Sequence, residues 1–316
     1  MRKRTLGRTG LEISVVGFGA WAIGGGGWEW GWGPQDDADS IAAIERAIEL
    51  GVNWIDTAPV YGFGRSEEVV GRVIGKLSQK PLIFSKCGLE GRGGSGVNEL
   101  KASTIERQCE ESLRRLGVEA IDLLQIHWPI PDEDVEEGWA ACVALLSAGK
   151  VRHIGVSNFD VEQLKRINAL ATVETLQPPY SLIERNVEKE ILPYCADEEI
   201  GVLAYSPMAS GLLTGAFSAE RVAALPEDDF RSHVAHFQEP ELSRNLASAE
   251  RLRQIGERHG ASPGAVAVAW VLRDPVVSGA IVGFRRADQV DGILPTAGDL
   301  ELSAEELAFI EGGKLK

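Results

Sequence analysis

The sequence predicts an α/β fold of the (β/α)8 TIM barrel type, in which eight parallel strands close into a cylinder inside a ring of helices. Short apolar or β-branched runs alternate with longer amphipathic segments from one end of the chain to the other, and eight such strand–helix units can be counted. The pattern shows no switch point of an open, doubly wound sheet. We therefore expect a single domain over residues 1–316, with long loops at the C-terminal face of the barrel.

The predicted barrel strands are nearly continuous in apolar residues, as strands buried on both faces should be. They are Val15–Phe18, Trp54–Thr57, Leu82–Lys86, Ile121–His127, Val151–Val156, Thr175–Gln177, Val202–Tyr205 and Ala280–Val282. Ahead of the barrel, Arg4–Leu6 and Leu11–Ile13 flank a Gly-Arg-Thr-Gly turn, which predicts an N-terminal β-hairpin.

Helix signals separate the strands. The Asp-Ala-Asp-Ser segment at 37–40 is predicted to cap a helix that Gly51 ends. Three further amphipathic segments, each followed by a glycine within two residues, are predicted to be the helices Ile105–Leu116, Val135–Ala148 and Ala247–Arg258. The longest irregular stretch, Ser206–Pro240, is expected to be a functional loop.

Composition narrows the classes of function. The net charge of -15 argues against binding to nucleic acid or to an anionic membrane, because both need basic patches, although a local basic site for an anionic cofactor remains compatible with it. No apolar run approaches the ~20 residues of a transmembrane helix. The four cysteines are widely spaced, which favours reduced thiols in a cytoplasmic protein. His233 and His236 have a spacing that could bind a metal, but incidental surface histidines are commoner, so we expect no metal site.

The segment after the first strand superficially fits a dinucleotide fingerprint, with Gly17, Gly19 and Ala22 at the required spacing. That fingerprint requires a helix to begin at once, whereas four consecutive glycines and three interleaved tryptophans follow. We interpret the segment as a first βα loop at the barrel mouth. Trp21, Trp28 and Trp128 are candidates for an apolar substrate pocket, and simple packing of the barrel top would explain the rings of the loop equally well.

Four polar side chains stand at or just after the ends of successive strands: Asp56, Tyr61, Lys86 and His127. A barrel brings such residues to one mouth. Lys86 follows core-like residues and needs a carboxylate, which Asp56 could supply. Hydride transfer to a carbonyl carbon needs a proton donor at the oxygen. Tyr61 could be that donor if the Lys86 ammonium lowers its pKa from ~10, and His127 could hydrogen-bond the carbonyl oxygen.

On these residues the chain resembles the aldo-keto reductase family over essentially its full length. Asp56-Thr57-Ala58 with Tyr61-Gly62 and Ser66-Glu67 is similar to the family's signature, and Lys86 and His127 match its lysine and histidine in order and context. The resemblance implies reduction of a small aldehyde or ketone by a nicotinamide cofactor. It also implies that Tyr61 is the proton donor and that the other three residues complete a catalytic tetrad.

The resemblance further implies a cofactor site at the later strand ends. Ser157 and Asn158 match residues that contact the nicotinamide carboxamide, and the Gln177 amide could contact the same group. Tyr205 stands where the family stacks an aromatic ring on the nicotinamide. The loop that follows is expected to approach the pyrophosphate through Ser206, Pro207, Met208, Gly211 and Leu212.

After the last strand come Gly283, Phe284, Arg285 and Arg286, in the region that usually binds phosphate in such barrels. Paired guanidinium groups suit a 2′-phosphate, so NADPH is favoured and NADH stays possible. A solvated helix start is the ordinary alternative, although cations at that position oppose the helix dipole. The resemblance implies that Arg285 and Gln289 address the adenosine end of the cofactor.

Two other functions compete with carbonyl reduction. An NAD-linked polyol dehydrogenase could run the reverse reaction on the same tetrad, and the arginine pair speaks against it. A nicotinamide-binding regulatory subunit of potassium channels is also related to this barrel, and the short N-terminus, without an extended inactivating segment, weighs against it.

Overall fold

The computed structural model describes residues 1–227 and 229–313. The strands of this described part are β1 (Lys3–Thr5), β2 (Glu12–Ser14), β3 (Val16–Gly19), β4 (Trp54–Asp56), β5 (Leu82–Cys87), β6 (Leu89–Arg92), β7 (Ser95–Asn98), β8 (Leu123–Ile126), β9 (Ile154–Ser157), β10 (Thr175–Gln177), β11 (Gly201–Tyr205) and β12 (Val277–Gly283). Eight of them form a closed barrel in the order β10-β11-β12-β3-β4-β5-β8-β9. Each predicted barrel strand overlaps one of these eight, so the barrel prediction is confirmed.

Helices surround this barrel. They are α1 (Asp37–Glu49), α2 (Arg65–Ile74), α3 (Ala102–Leu116), α4 (Val135–Ser147), α5 (Val161–Asn168), α6 (Ile191–Asp197), α7 (Ala219–Ala223), α8 (Glu241–His259), α9 (Pro263–Leu272), α10 (Ala287–Asp291), α11 (Leu294–Ala297) and α12 (Ala304–Ile310). None of these described helices combines the length and the apolarity needed to cross a membrane.

Three predicted helix starts differ from the structure. Helix α3 begins at Ala102, three residues before the predicted Ile105. The N-cap of α1 is Asp36, one residue before the predicted cap, and its carboxylate accepts a hydrogen bond from the Ala38 amide. Helix α8 begins at Glu241, six residues before the predicted Ala247, and the additional residues include the buried Leu242 and Asn245. Helix ends are decided by this packing as much as by local caps.

The predicted N-terminal hairpin is present and closes the bottom of the barrel. Strands β1 and β2 pair antiparallel, with Lys3 opposite Ser14. The turn between them carries Leu6 into the barrel interior. At Gly7 (φ +49°) an added Cβ would lie 2.3 Å from the Gly201 nitrogen, so only glycine lets the turn sit this close to β11.

Barrel closure sorts the inward-facing side chains into layers. The apolar layer nearest the hairpin includes Trp54, Phe84, Leu123 and Leu203. Two residues further along the same strands stand Asp56, Lys86, Gln125 and Tyr205, which therefore face the same interior. A polar layer thus lies directly above an apolar floor.

Glycines make room for the largest ring of that floor. An added Cβ at Gly17 would lie 2.2 Å from the indole of Trp54, and one at Gly279 would lie 2.9 Å from it. The indole N–H of Trp54 donates to the Ser14 carbonyl oxygen at 2.8 Å. Trp54 therefore fills the centre of the barrel in a fixed orientation.

Two segments at the mouth are more ordered than the sequence predicts. The stretch 206–240 contains α7 and three short 3-10 turns, at Leu212–Thr214, Phe230–His233 and Ala235–Phe237, so it is not simply irregular. Strands β6 and β7 form an unpredicted antiparallel hairpin, in which Arg92 pairs with Ser95. Its Gly93-Gly94 turn, with φ values of 61° and 92°, is the local signal that would have revealed it.

The packing at Trp54 predicts that Gly17→Ala destabilises the barrel. The added methyl group overlaps a buried ring that has no free space to move into, and such overpacking costs about 1–3 kcal/mol. Urea unfolding followed by circular dichroism measures the change in the free energy of unfolding.

Gly292→Ala is the matched control. Gly292 has helical backbone angles (φ -74°), and its nearest neighbour would lie 3.5 Å from an added Cβ. This variant should unfold within about 1 kcal/mol of the wild type. Equal midpoints for both variants would contradict the assigned role of Gly17.

Candidate active site

The four residues of the predicted tetrad meet at the C-terminal end of the barrel. Asp56 is the last residue of β4, Lys86 lies one residue before the end of β5, and His127 directly follows β8. Tyr61 lies in the turn between β4 and α2. The Tyr61 ring lies edge-on to the His127 ring with 5.8 Å between centroids, and the Lys86 Nζ lies 5.2 Å from the Tyr61 centroid. All four are buried.

Asp56 and Lys86 form an ion pair inside the barrel. The Lys86 Nζ donates to Asp56 Oδ1 at 2.5 Å and to the Thr57 carbonyl oxygen at 3.2 Å. The exposed fractions of the two residues are 2% and 1%, so little water reaches either charge. Burial lowers the pKa of the Lys86 ammonium, and the adjacent Asp56 carboxylate opposes that shift. The carboxylate is thus what keeps a buried lysine charged.

The pKa of Tyr61 moves in the direction opposite to the one expected from the sequence. Burial and the negative charge of Asp56 raise the pKa of its hydroxyl well above its ordinary value. The expectation that Lys86 lowers this pKa was wrong, because the ammonium is already compensated by its carboxylate and the ring lies in a dry environment. Tyr61 is therefore a protonated phenol at neutral pH.

His127 is a neutral imidazole. Burial, followed by the positive charge of Lys86, lowers its pKa well below 6.5. Its Nδ1 is buried and has no hydrogen-bond partner among the residues that the structure describes. A neutral imidazole carries one N–H donor, which suits a hydrogen bond to an uncharged carbonyl oxygen.

The residues predicted to hold the nicotinamide lie together beside the tetrad. The Ser157 hydroxyl donates to the Gln177 carbonyl oxygen at 2.8 Å, and the Asn158 amide donates to the His127 carbonyl oxygen at 2.9 Å. The Tyr205 hydroxyl donates to Asn158 Oδ1 at 2.8 Å and thereby orients its ring. The Gln177 amide donates to Asp56 Oδ2 at 2.8 Å. The sites predicted for cofactor and for catalysis are therefore one connected network.

The loop that was predicted to approach the pyrophosphate is tightly wound. Ser206 and Gly211 have left-handed φ values of 54° and 92°. Within it the side chains of Pro207, Met208 and Leu212 are buried. The loop therefore has a fixed conformation beside the site, and its approach to a pyrophosphate stays a prediction.

Arg285 is tied to the first βα loop. Its Nε donates to Gln35 Oε1 at 2.6 Å, its Nη1 donates to the Trp32 carbonyl oxygen at 2.9 Å, and its Nη2 donates to the Pro34 carbonyl oxygen. The Gln289 side chain accepts a hydrogen bond from the Arg285 backbone N–H at 2.8 Å. Arg285 thus positions the loop as well as contributing charge.

Three guanidinium groups gather at this end of the mouth. Arg286 is exposed and pairs with Asp288 at 3.0 Å, and Arg231 pairs with Asp229 at 2.5 Å. Burial lowers the pKa of Arg285, and the positive charges of Arg231 and Arg286 add to that shift. The mutual repulsion of these cations would be relieved by a bound anion.

The three predicted pocket tryptophans have different surroundings. Trp21 lies 6.4 Å from Tyr61 between ring centroids, and Trp28 packs in the same small cluster as Tyr61. Trp128 is 37% exposed at the rim. Phe230, which the sequence analysis did not single out, lies 4.9 Å from Trp21 between ring centroids and joins the long loop to the first one.

Gln125 is the polar residue that the sequence analysis missed. It is fully buried in β8, its carboxamide Nε2 lies 3.5 Å from Asp56 Oδ2, and its Oε1 lies 3.4 Å from the Gln177 Nε2. The signal was present, because Gln125 interrupts an apolar strand two residues before His127 and so faces the same side.

The neutral state of His127 predicts a pH effect on stability. The unfolded chain binds a proton at this histidine near pH 6.5 and the folded chain does not, so stability is lost as pH falls below about 6.5. In His127→Gln the free energy of unfolding should therefore fall less steeply between pH 7 and pH 5, by up to about 1.4 kcal/mol per pH unit.

Denaturant unfolding at several pH values measures this slope. His233→Gln, at an exposed histidine outside the tetrad, is the control and should keep the wild-type slope. A His127→Gln slope equal to that of the wild type would show that this imidazole takes up its proton in the folded state as well.

Comparisons with known proteins agree with this geometry. The family model described as "Aldo/keto reductase family" matches residues 16–312. Aldo-keto reductase YhdN of Bacillus subtilis is 37% identical over 301 residues, which cover 94% of this chain and 89% of that protein. The NADH-specific methylglyoxal reductase of Escherichia coli is 32% identical over 304 residues, which cover 92% and 91% of the two chains.

A solved structure extends the similarity to three dimensions. The glycerol dehydrogenase of Gluconobacter oxydans superimposes with a TM-score of 0.86 at 38% sequence identity, and the match covers 98% of this chain and 93% of that one. Fold, site geometry and sequence therefore agree that the chain belongs to the aldo/keto reductase family of NAD(P)H-dependent oxidoreductases.

Proposed function

We propose that this protein reduces aldehydes or ketones to alcohols with NADPH and that Tyr61 donates the proton to the carbonyl oxygen. The observation that carries this proposal is a protonated phenol beside a neutral imidazole and a buried ammonium–carboxylate pair. A proton donor, a neutral hydrogen-bond donor and a positive charge are the groups that a developing alkoxide requires.

Each residue of the tetrad has a separate task in this proposal. His127 hydrogen-bonds the carbonyl oxygen and orients it toward the Tyr61 hydroxyl. As negative charge develops on that oxygen, Tyr61 transfers its proton to it. Lys86 stabilises the phenolate that remains, and Asp56 keeps Lys86 charged at 2.5 Å. Because the four groups are buried, their electrostatic effects are larger than they would be in water.

The residues around the tetrad fit a nicotinamide cofactor, which supplies a hydride when bound. Tyr205 offers a ring held in place by Asn158, and Ser157, Asn158 and Gln177 offer polar atoms for a carboxamide. Gly283 is exposed at the end of β12 and pairs with Gly19 of β3. A Cβ added at Gly283 would meet nothing closer than 3.8 Å. A flat ring, amide groups and an open backbone suit a nicotinamide and its ribose.

The preference for NADPH rests on charge. Arg231, Arg285 and Arg286 gather in a chain whose net charge is -15, and their mutual repulsion favours an anion between them. Asp288 competes for Arg286 through two contacts, at 3.0 and 3.1 Å. A 2′-phosphate would replace that carboxylate as the partner of Arg286.

A second candidate is the oxidation of a polyol on the same tetrad. The similarity to a glycerol dehydrogenase favours it, and the reverse reaction uses the same groups with Tyr61 accepting the proton. Parallel assays with glycerol and NADP⁺ or NAD⁺, and with glyceraldehyde or methylglyoxal and the reduced cofactors, compare the two directions. The direction with the larger kcat/KM at neutral pH decides between them.

A cytoplasmic location is also proposed. All four cysteines are free and buried, and thiols of this kind stay reduced in the cytoplasm.

Tyr61→Phe tests the proton donor. The change removes one oxygen atom, so cofactor affinity should stay within about twofold while kcat falls by about 10²–10⁴-fold. Cofactor binding is measured by fluorescence titration, and turnover is measured by NADPH oxidation with an aromatic aldehyde. Turnover near the wild-type rate would refute the assignment.

Arg286→Gln tests the cofactor preference. Loss of a charge-assisted contact to the 2′-phosphate should raise the KM for NADPH by about tenfold or more and leave the KM for NADH nearly unchanged. Arg253→Gln removes an exposed arginine of α8 that pairs with Glu250 and is the matched control. Equal losses with both cofactors, or a wild-type enzyme that prefers NADH, would overturn the proposed preference.

A further inference from the structure

Gln125 occupies a place in the barrel where an apolar side chain would be expected. It lies in β8 in register with Lys86 of β5 on one side and with Gly155 of β9 on the other. Two residues earlier on the same strand, Leu123 belongs to the apolar floor. A fully buried amide has to find polar partners, and Gln125 finds them at Asp56 and Gln177.

The Asp56 carboxylate needs donors on both of its oxygens. Oδ1 receives the Lys86 ammonium, and Oδ2 receives the Gln177 amide at 2.8 Å and the Gln125 amide at 3.5 Å. A buried carboxylate stays ionised only when its oxygens are hydrogen-bonded or paired. The two glutamines therefore share this carboxylate with Lys86 and take up part of the charge that it would otherwise direct at the ammonium.

The two glutamines differ in what else they can reach. Gln177 ends β10 and belongs to the group proposed to hold the nicotinamide carboxamide, so its amide has a second use. Gln125 has an exposed fraction of 0%, and its amide contacts Asp56 and Gln177. Gln125 is thus a donor to Asp56 to which no contact with a ligand is assigned.

We propose that Gln125 is a positioning residue of the carbonyl reductase, whose amide orients the Asp56 carboxylate, takes up part of its charge and so limits how strongly Asp56 holds the Lys86 ammonium beside Tyr61. This inference rests on the proposed function, because it gives Lys86 a role in turnover. Gln125 acts through Asp56 and does not touch substrate or cofactor.

Few titratable groups face this pair, which makes its titration interpretable. Those that face it from the surrounding elements are Tyr61 after β4, Glu67 on α2, His127 after β8 and Tyr205 at the end of β11. Glu67 accepts hydrogen bonds from Ser85 and Arg115, both at 2.7 Å, so its charge is already compensated. Apart from burial, the pKa of Lys86 is therefore set mainly by Asp56 and the groups that donate hydrogen bonds to it.

The first test needs no bound cofactor. In Gln125→Met the side chain keeps a similar volume and loses its donor, so the Asp56 carboxylate directs more of its charge at the ammonium and holds its proton more strongly. The pKa of Lys86 in the ligand-free protein should rise by about one unit relative to the wild type. It is measured from the ¹³Cε shift of labelled lysine between pH 6 and pH 11, and the Lys86 signal is assigned by its absence in Lys86→Met.

Gln108→Met is the matched control. Gln108 is also buried, and its amide oxygen accepts a hydrogen bond from the Gly88 N–H at 2.8 Å, away from Asp56. The same substitution there removes a buried amide of equal size and should leave the titration of Lys86 unmoved. A circular dichroism spectrum and an unfolding curve for each variant verify that both are folded.

The second test is the pH profile of turnover. In Gln125→Met the alkaline limb of kcat should move to higher pH by about one unit, because an Asp56 carboxylate without this donor holds the protons of Lys86 and Tyr61 more strongly. The cofactor KM should stay within about twofold. A merely structural role would lower kcat or stability without moving this limb.

The two tests separate failure of this inference from failure of the proposed function. An unchanged Lys86 titration in Gln125→Met overturns the role of Gln125, whatever the enzyme reduces. The other outcome is a shifted Lys86 titration in Gln125→Met together with a wild-type enzyme that turns over no carbonyl with either cofactor. That result refutes the proposed function and leaves the electrostatic link between Gln125 and Lys86 supported.

Discussion

Closure of eight parallel strands into a barrel is the constraint on which the other features of this protein depend. Closure points every second side chain of each strand into one narrow interior. The side chains nearest the hairpin are apolar and pack around Trp54, for which Gly17 and Gly279 leave space. One layer higher the same alternation brings Asp56 and Lys86 together, and neither could remain charged there without the other.

Burial and the ion pair together shift the pKa values of two neighbours in opposite directions. Burial, reinforced by the negative charge of Asp56, raises the pKa of Tyr61, and burial, reinforced by the positive charge of Lys86, lowers that of His127. Two titratable groups whose rings lie 5.8 Å apart thus become a protonated phenol and a neutral imidazole at the same pH. When the environment moves the pKa values of two groups apart in this way, one site can hold a proton donor and a neutral hydrogen-bond donor at the same pH.

The mouth of the barrel is built by loops that hold one another in place. Arg285 binds the backbone of the first βα loop, and Phe230 of the long loop packs between Trp21 and Trp32 at centroid distances of 4.9 and 5.0 Å. Relatives that share the barrel carry names as different as methylglyoxal reductase and glycerol dehydrogenase. In barrels of this type the strand ends carry the reactive groups, so differences in substrate arise mainly from differences in the loops at the mouth.

The sequence alone was sufficient to predict the barrel, the N-terminal hairpin and the meeting of Asp56, Tyr61, Lys86 and His127 at one mouth, because apolar strands and polar strand ends are local patterns in the chain. The partners of those residues are not local. The link from Gln125 to Asp56 joins residues 69 positions apart, and the bond from Gln177 to Asp56 spans 121. The sign of the shift in the pKa of Tyr61 likewise depends on how much water the folded barrel excludes and on the charge of Asp56. Such burial and proximity arise only when the strands close, so they were decided by the tertiary structure.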